Sequence, residues 1–234
     1  MKKPWLWAVL GAWLVASAPR SVHAMHLSDG ILPASSCIAW SALAFVFVAW
    51  SYRRFDSARL QDPQLGPLVA MVGAAVFAIS CMPVPVPVVG TCSHPCGTGL
   101  AAIIVGPLLT ILLTTVALLL QALFLAHGGL TTLGADIMSM GVAGGLTGYF
   151  VFRGLRRAGI QLFAAAFVAG ALSDWATYAT TALELAIGLH GAAPVGSLFS
   201  SVILAFAPTQ LPLGLLEGVL TAGALTWVHK RRPA

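Results

Sequence analysis

Residues 97–125, GTGLAAIIVGPLLTILLTTVALLLQALFL, decide how this chain folds. The stretch carries no charge, exceeds one membrane span of about 20 residues, and falls somewhat short of two. Gly106-Pro107 breaks it, because proline lacks the N–H that a helix needs and clashes with the preceding turn. The reading is a short helix ending near Val105, tucked against protein rather than lipid, followed by a longer helix from Pro107.

The chain on either side has the same character. Further apolar runs cover 36–51, 65–82, 133–152, 160–189 and 196–228, and apolar residues make up 59% of the chain against 8% charged. No soluble core requires that balance, so the expectation is an all-α integral membrane bundle of about seven transmembrane helices. The Lys and Arg residues cluster at Lys2, Lys3 and Arg20, at Arg53, Arg54 and Arg59, at Arg153, Arg156 and Arg157, and at Lys230, Arg231 and Arg232. None interrupts an apolar run. They mark loops held at the cytoplasmic face rather than a nucleic-acid surface, which would need a solvent-facing basic stripe.

The first 24 residues read as a signal peptide: Lys2 and Lys3, an apolar stretch from Trp5 to Ala18, and a small-residue cleavage site at Val22-His23-Ala24. Cleavage leaves Met25 first and outside, and residues 25–234 form one transmembrane domain. The first helix then runs inward to Arg53, and the second returns to a loop over 83–96. An odd number of crossings must separate that loop from Arg153, which the break at Gly106-Pro107 supplies. The carboxyl terminus is cytoplasmic.

Two histidines and a free amine meet at the outer face in this topology. In Met25-His26 the terminal amine, the His26 amide nitrogen and the imidazole close a five-membered and then a six-membered chelate ring on one ion. Metals that favour planar nitrogen fields support the amide deprotonation this needs. His94 offers a fourth nitrogen from a loop stiffened by Pro83, Pro85 and Pro87. The candidate metal ligands are therefore Met25, His26 and His94. His127 is read either as an ordinary loop residue or as an entry or supporting residue.

Asp136, Asp174, Glu184 and Glu217 lie in or near apolar runs with no basic partner in the same runs, so they should face the bundle interior. Hydrogen-bonded packing is the first reading for Asp174 and Glu217, and metal passage or contact with a partner is the second. Cys37 and Cys81 read as packing residues; Cys92 and Cys96 are left open between a disulfide and free thiols, ahead of a soft metal site at Cys92-x-His94-x-Cys96, whose spacing lacks the usual zinc pairing. The chain has no P-loop, so ATP hydrolysis would need a separate chain.

Several motifs in order resemble one family. They are Met25-His26-Leu27-Ser28-Asp29-Gly30, then Gly90-Thr91-Cys92-Ser93-His94-Pro95 with Gly97-Thr98-Gly99, then Ala126-His127-Gly128-Gly129-Leu130-Thr131-Thr132-Leu133-Gly134-Ala135, Asp174-Trp175-Ala176-Thr177-Tyr178, and Gln210-Leu211-Pro212 before Glu217-Gly218. From Met25 onward the chain resembles the CbiM subunits of energy-coupling-factor cobalt transporters, relatives of the NikM nickel subunits. The resemblance implies a seven-helix, multi-pass plasma-membrane subunit that captures Co(II), with Ni(II) as the alternative cargo, and that supplies cobalamin synthesis. It also implies a CbiQ-like transmembrane coupling subunit, CbiO-like ATPase subunits and a small CbiN-like accessory subunit, and it carries the family's ligands onto Met25, His26 and His94. Cys96, Asp136 and Met82 depart from the family pattern, where a Thr-like residue, Asn and, in some relatives, Lys are expected. The rival class, a membrane-embedded metalloenzyme using His94 and His127, lacks any His-x-x-x-His or Glu-x-x-His pairing on a helix.

Overall fold

The structure, a computed structural model, describes residues 26–82, 84–85 and 92–231. The signal peptide over 1–24 and the Met25 amine lie outside the described residues. Among the described residues seven helices follow one another: α1 (Ala34–Arg59), α2 (Leu65–Ser80), α3 (Thr98–Val105), α4 (Pro107–Phe124), α5 (Leu133–Arg157), α6 (Leu162–Leu189) and α7 (Val195–Arg231). Between α2 and α3, Val84–Pro85 pairs antiparallel with Cys92–Ser93, as β1 and β2.

The break falls where the charge argument needs it. Gly106 takes a φ of 86° that disfavours any side chain, and Pro107 opens α4 at a position where its missing N–H costs nothing. At about 1.5 Å per residue, the eight residues of α3 reach only about 12 Å, too little to cross a bilayer. Their burial fits that length: Thr98, Gly99, Ala101 and Ala102 are enclosed by protein.

Among the described residues, five helices are long and apolar enough to span a membrane: α1, α4, α5, α6 and α7. The share of the apolar window that is buried separates centre from rim, at 61% for α5 against 17% for α1 and for α7. Phe45 and Trp50 on α1 are 71% and 58% exposed, a cost in water that lipid removes. The chain is a membrane protein.

Small residues set the close approaches. A Cβ on Gly148 of α5 would lie 2.8 Å from the Gly99 Cα of α3, and one on Gly170 of α6 would lie 2.6 Å from Thr221 Oγ1 of α7. Without them the helices could not pack at these distances. Within α5, residues Ile137–Gly144 form a π-helical segment. Such widened turns re-aim side chains at functional sites, and here Asp136, Ser139 and Met140 face a cavity beneath the histidines described next.

Candidate metal site

The chain entering α1 lies along the turn between α4 and α5, held by paired polar contacts. Leu27 N–H donates to Asp136 Oδ1 at 3.0 Å, and the Thr132 hydroxyl donates to the Leu27 carbonyl. Asp29 Oδ1 accepts the Thr131 N–H at 2.8 Å and its hydroxyl at 2.5 Å, and those bonds, the hydroxyl's foremost, hold the Asp29 carboxyl below its ordinary range. Gly128 and Gly129 make room for this: a Cβ on Gly128 would sit 2.8 Å from His26 Cβ, and one on Gly129 would sit 2.5 Å from the Asp29 nitrogen. These contacts fix His26 against the bundle.

His94 is clamped from the other side. Tyr178 of α6 donates its hydroxyl to the His94 carbonyl at 3.0 Å, Gln210 of α7 donates to Ser93 Oγ at 2.8 Å, and Glu217 of α7 accepts the Cys96 and Gly97 N–H groups at 2.6 and 2.8 Å. His94 Nδ1 lies 3.1 Å from the Pro95 carbonyl. A hydrogen on Nδ1 makes that contact a bond and leaves Nε2 with a bare lone pair.

His127 completes the group. Ala126 adopts a φ of 48°, uncommon without glycine, and so turns the chain sharply before His127. The ring centroids then stand 4.7 Å apart for His26 and His94, 4.9 Å for His26 and His127, and 5.2 Å for His94 and His127. One nitrogen from each ring lies within 4.8 Å of the others.

Both nitrogens of His26 and the Nε2 atoms of His94 and His127 are buried with no hydrogen-bond partner among the described residues. Each such orphan costs about 1–3 kcal/mol, so three rings gathered this way are unstable as packing and useful as ligands. Burial, then the neighbouring His94 and His127 charges, lowers the His26 imidazole well below its ordinary value. Burial, with His127 next in weight, brings His94 down to about 4, and burial also lowers His127. The three rings are neutral at physiological pH and present lone pairs rather than protons.

The structure thus brings together His26 and His94 and adds His127, which the sequence left undecided between a loop residue and a supporting one. Glu217 is a hydrogen-bonded residue, as its first reading had it. Asp174 is hydrogen-bonded too: fully enclosed on α6, it accepts the Cys96 thiol and sets its carboxyl against that of Glu217. Cys96 is a free thiol, lying 3.8 Å from Asp174 Oδ1. The Cys92 side chain is outside the described residues. The grouping of Cys96, Asp174 and Glu217 could not be read from positions 78 and 43 residues apart in the chain.

A family model described as the cobalt uptake substrate-specific transmembrane region matches residues 26–234. A protein of Sorangium cellulosum, "Cobalt transport protein CbiM", is 63% identical over 209 residues, covering 89% of this chain and 93% of that one. A protein of the same name from Geobacter sulfurreducens is 58% identical over 226 residues, 97% of this chain, and this chain spans 64% of that longer relative. Among solved structures, a truncated transition metal transporter superposes with a TM-score of 0.78 over 89% of this chain and all of that one, at 24% identity. At that identity the likeness concerns the fold alone.

Proposed function

We propose, since this chain belongs to the CbiM cobalt-uptake family, that it is the substrate-capture subunit of an ATP-driven energy-coupling-factor importer for Co(II). The observation that carries this reading is the set of unpartnered imidazole nitrogens on His26, His94 and His127, gathered within 4.8 Å of one another. The Met25 amine and the His26 amide, adjacent in the chain, add two nitrogens. Co(II) is the cargo, destined for cobalamin synthesis; the chain itself is not an enzyme. The coupling protein and ATPases are CbiQ-like and CbiO-like partners, with a CbiN-like accessory subunit, in the plasma membrane. The basic clusters at Arg53, Arg153 and Lys230 orient the metal site outward and the carboxyl terminus to the cytoplasm.

Ni(II) is the competing cargo, because a planar nitrogen field suits it. His127 favours Co(II). Beside the amine, the amide and the imidazoles of His26 and His94 it offers a fifth nitrogen, one more than a square-planar ion takes.

Metal analysis of the purified mature chain after exposure to equal Co(II) and Ni(II), with amino-terminal sequencing of the same sample, tests the reading. The expected result is bound Co(II) on a chain that starts at Met25. Retention of Ni(II) in its place moves the assignment to nickel, and a folded, metal-free chain defeats it.

Asp136 provides a subtler check, since it positions His26 through the Leu27 N–H without contributing to the ring cluster. Asp136→Ala should weaken Co(II) binding about 10–100-fold, as loss of a ligand-orienting partner does. Asp136→Asn keeps an oxygen acceptor and should restore most of it. Equal affinity in all three proteins, by calorimetric titration, would show that Asp136 does not position the site.

A further inference from the structure

Beneath the histidines lies a second group of metal-ligating atoms. Cys96 Sγ and carboxylate oxygens of Asp174 and Glu217 all lie within 4.8 Å of one another, and all three residues are buried. We propose that Cys96, Asp174 and Glu217 form an interior site for a divalent transition cation, which receives the ion from the outer histidines on its way through the bundle. The inference rests on the transport reading for the identity of the ion, and on this geometry alone for the site.

The spacing suits coordination. A tetrahedral centre with a metal–sulfur bond of about 2.3 Å and a metal–oxygen bond of about 2.1 Å sets sulfur and oxygen about 3.6 Å apart. Cys96 Sγ and Asp174 Oδ1 stand 3.8 Å apart. Asp174, at 0% exposure, accepts the Cys96 thiol at Oδ1 and sets its carboxyl against that of Glu217, and two buried carboxyls facing each other call for a shared proton or a cation. No Lys or Arg among the described residues pairs with either carboxylate. Glu217 is held in place by the Cys96 and Gly97 N–H groups, each of which uses one lone pair of an oxygen and leaves another for a metal. One thiolate with two carboxylates suits ions of intermediate softness, the Co(II), Ni(II) and Zn(II) range, over Mg(II) or Ca(II).

Position supports passage. A cavity of about 10 Å³ is lined by His26, His94, Cys96, Asp136, Met140 and Tyr178, so the same small space touches two of the outer imidazoles and the Cys96 thiol of the interior group. It has the size of about one water-sized sphere. An ion leaving the imidazoles would meet the Cys96 sulfur next, with the Asp174 and Glu217 carboxylates within 4.8 Å of it, exchanging ligands rather than entering bare hydrocarbon, where an unpaired charge is costly.

The test is a Co(II) titration of the purified full mature chain, with bound metal counted and the near-ultraviolet thiolate-to-Co(II) charge-transfer band recorded. Two ions per chain and that band are expected. Cys96→Ser, which keeps the backbone donors to Glu217, should lose the band and one ion. His94→Ala should keep the band and lose the other ion. Asp174→Asn, equal in size, should shift the appearance of the band to at least about 10-fold higher Co(II). Absence of the band in the wild-type chain at saturation, or its persistence in Cys96→Ser, overturns the interior site. A band with no ion bound at the histidines would instead overturn the outer assignment and leave this one standing.

Discussion

His94→Ala is expected to abolish high-affinity Co(II) binding at the outer site and Co(II) uptake, while the bundle still folds. The His94 ring is 2% exposed and presents Nε2 to the group, while the contacts that hold its segment are made elsewhere. Tyr178 binds the His94 carbonyl, Gln210 binds Ser93, and Glu217 binds the Cys96 and Gly97 N–H groups. All of these persist when the ring is cut back to a methyl group. The substitution also leaves the His26 and His127 nitrogens buried, unpaired and reduced in number, and one missing ligand of a small set lowers affinity by orders of magnitude rather than by a margin. Calorimetric titration, with thermal unfolding of the same detergent-solubilised sample, separates the two effects. A variant that unfolds at the wild-type temperature but still binds at the wild-type affinity would remove His94 from the ligand set. His94→Gln, which supplies only an amide, should not restore binding.

Most of the architecture was legible because lipid leaves the backbone few options. Apolar runs must become helices, and basic clusters fix their sense, so a missing crossing could be demanded inside 97–125 from charge alone. Gly106 and Pro107 then marked the place, since one takes a backbone angle that side chains resist and the other opens a helix. The helix ends were less legible: α1 continues through Arg53 and Arg54 to Arg59, because a helix leaving the membrane keeps its backbone bonds while its side chains turn polar. That His26 and His94 fall on one face was legible, because the charge-derived topology puts both segments on the same side. The nearness of His127 was less legible, because it depends on the turn at Ala126 and the absence of a side chain at Gly128, which bring separate loops into contact. The Cys96, Asp174 and Glu217 group was invisible for the same reason, in stronger form. Its members belong to three elements that meet only when α6 and α7 pack against the start of α3. The departure at Cys96 from the expected Thr-like residue was the signal available, and it acquires meaning only beside Asp174.

A mature chain lengthened by one residue before Met25 is expected to lose outer-site Co(II) binding by at least about 100-fold, and uptake with it. The extension turns the Met25 amine into a peptide nitrogen, which holds its proton far more tightly, and moves the new amine about 3.4 Å along the chain. The site has no slack to absorb that shift. His26 is 6% exposed, its Cβ would stand 2.8 Å from a side chain placed on Gly128, and Leu27 is bound at both its N–H and its carbonyl. The ring cannot slide back by a residue without breaking those bonds and turning Leu27, 4% exposed, out of its apolar neighbours. Removing the extra residue with an aminopeptidase should restore binding on the same sample, which distinguishes a lost ligand from a damaged fold. If uptake and affinity are unchanged by the extension, the amine is not a ligand, and the three imidazoles would have to hold the ion without it.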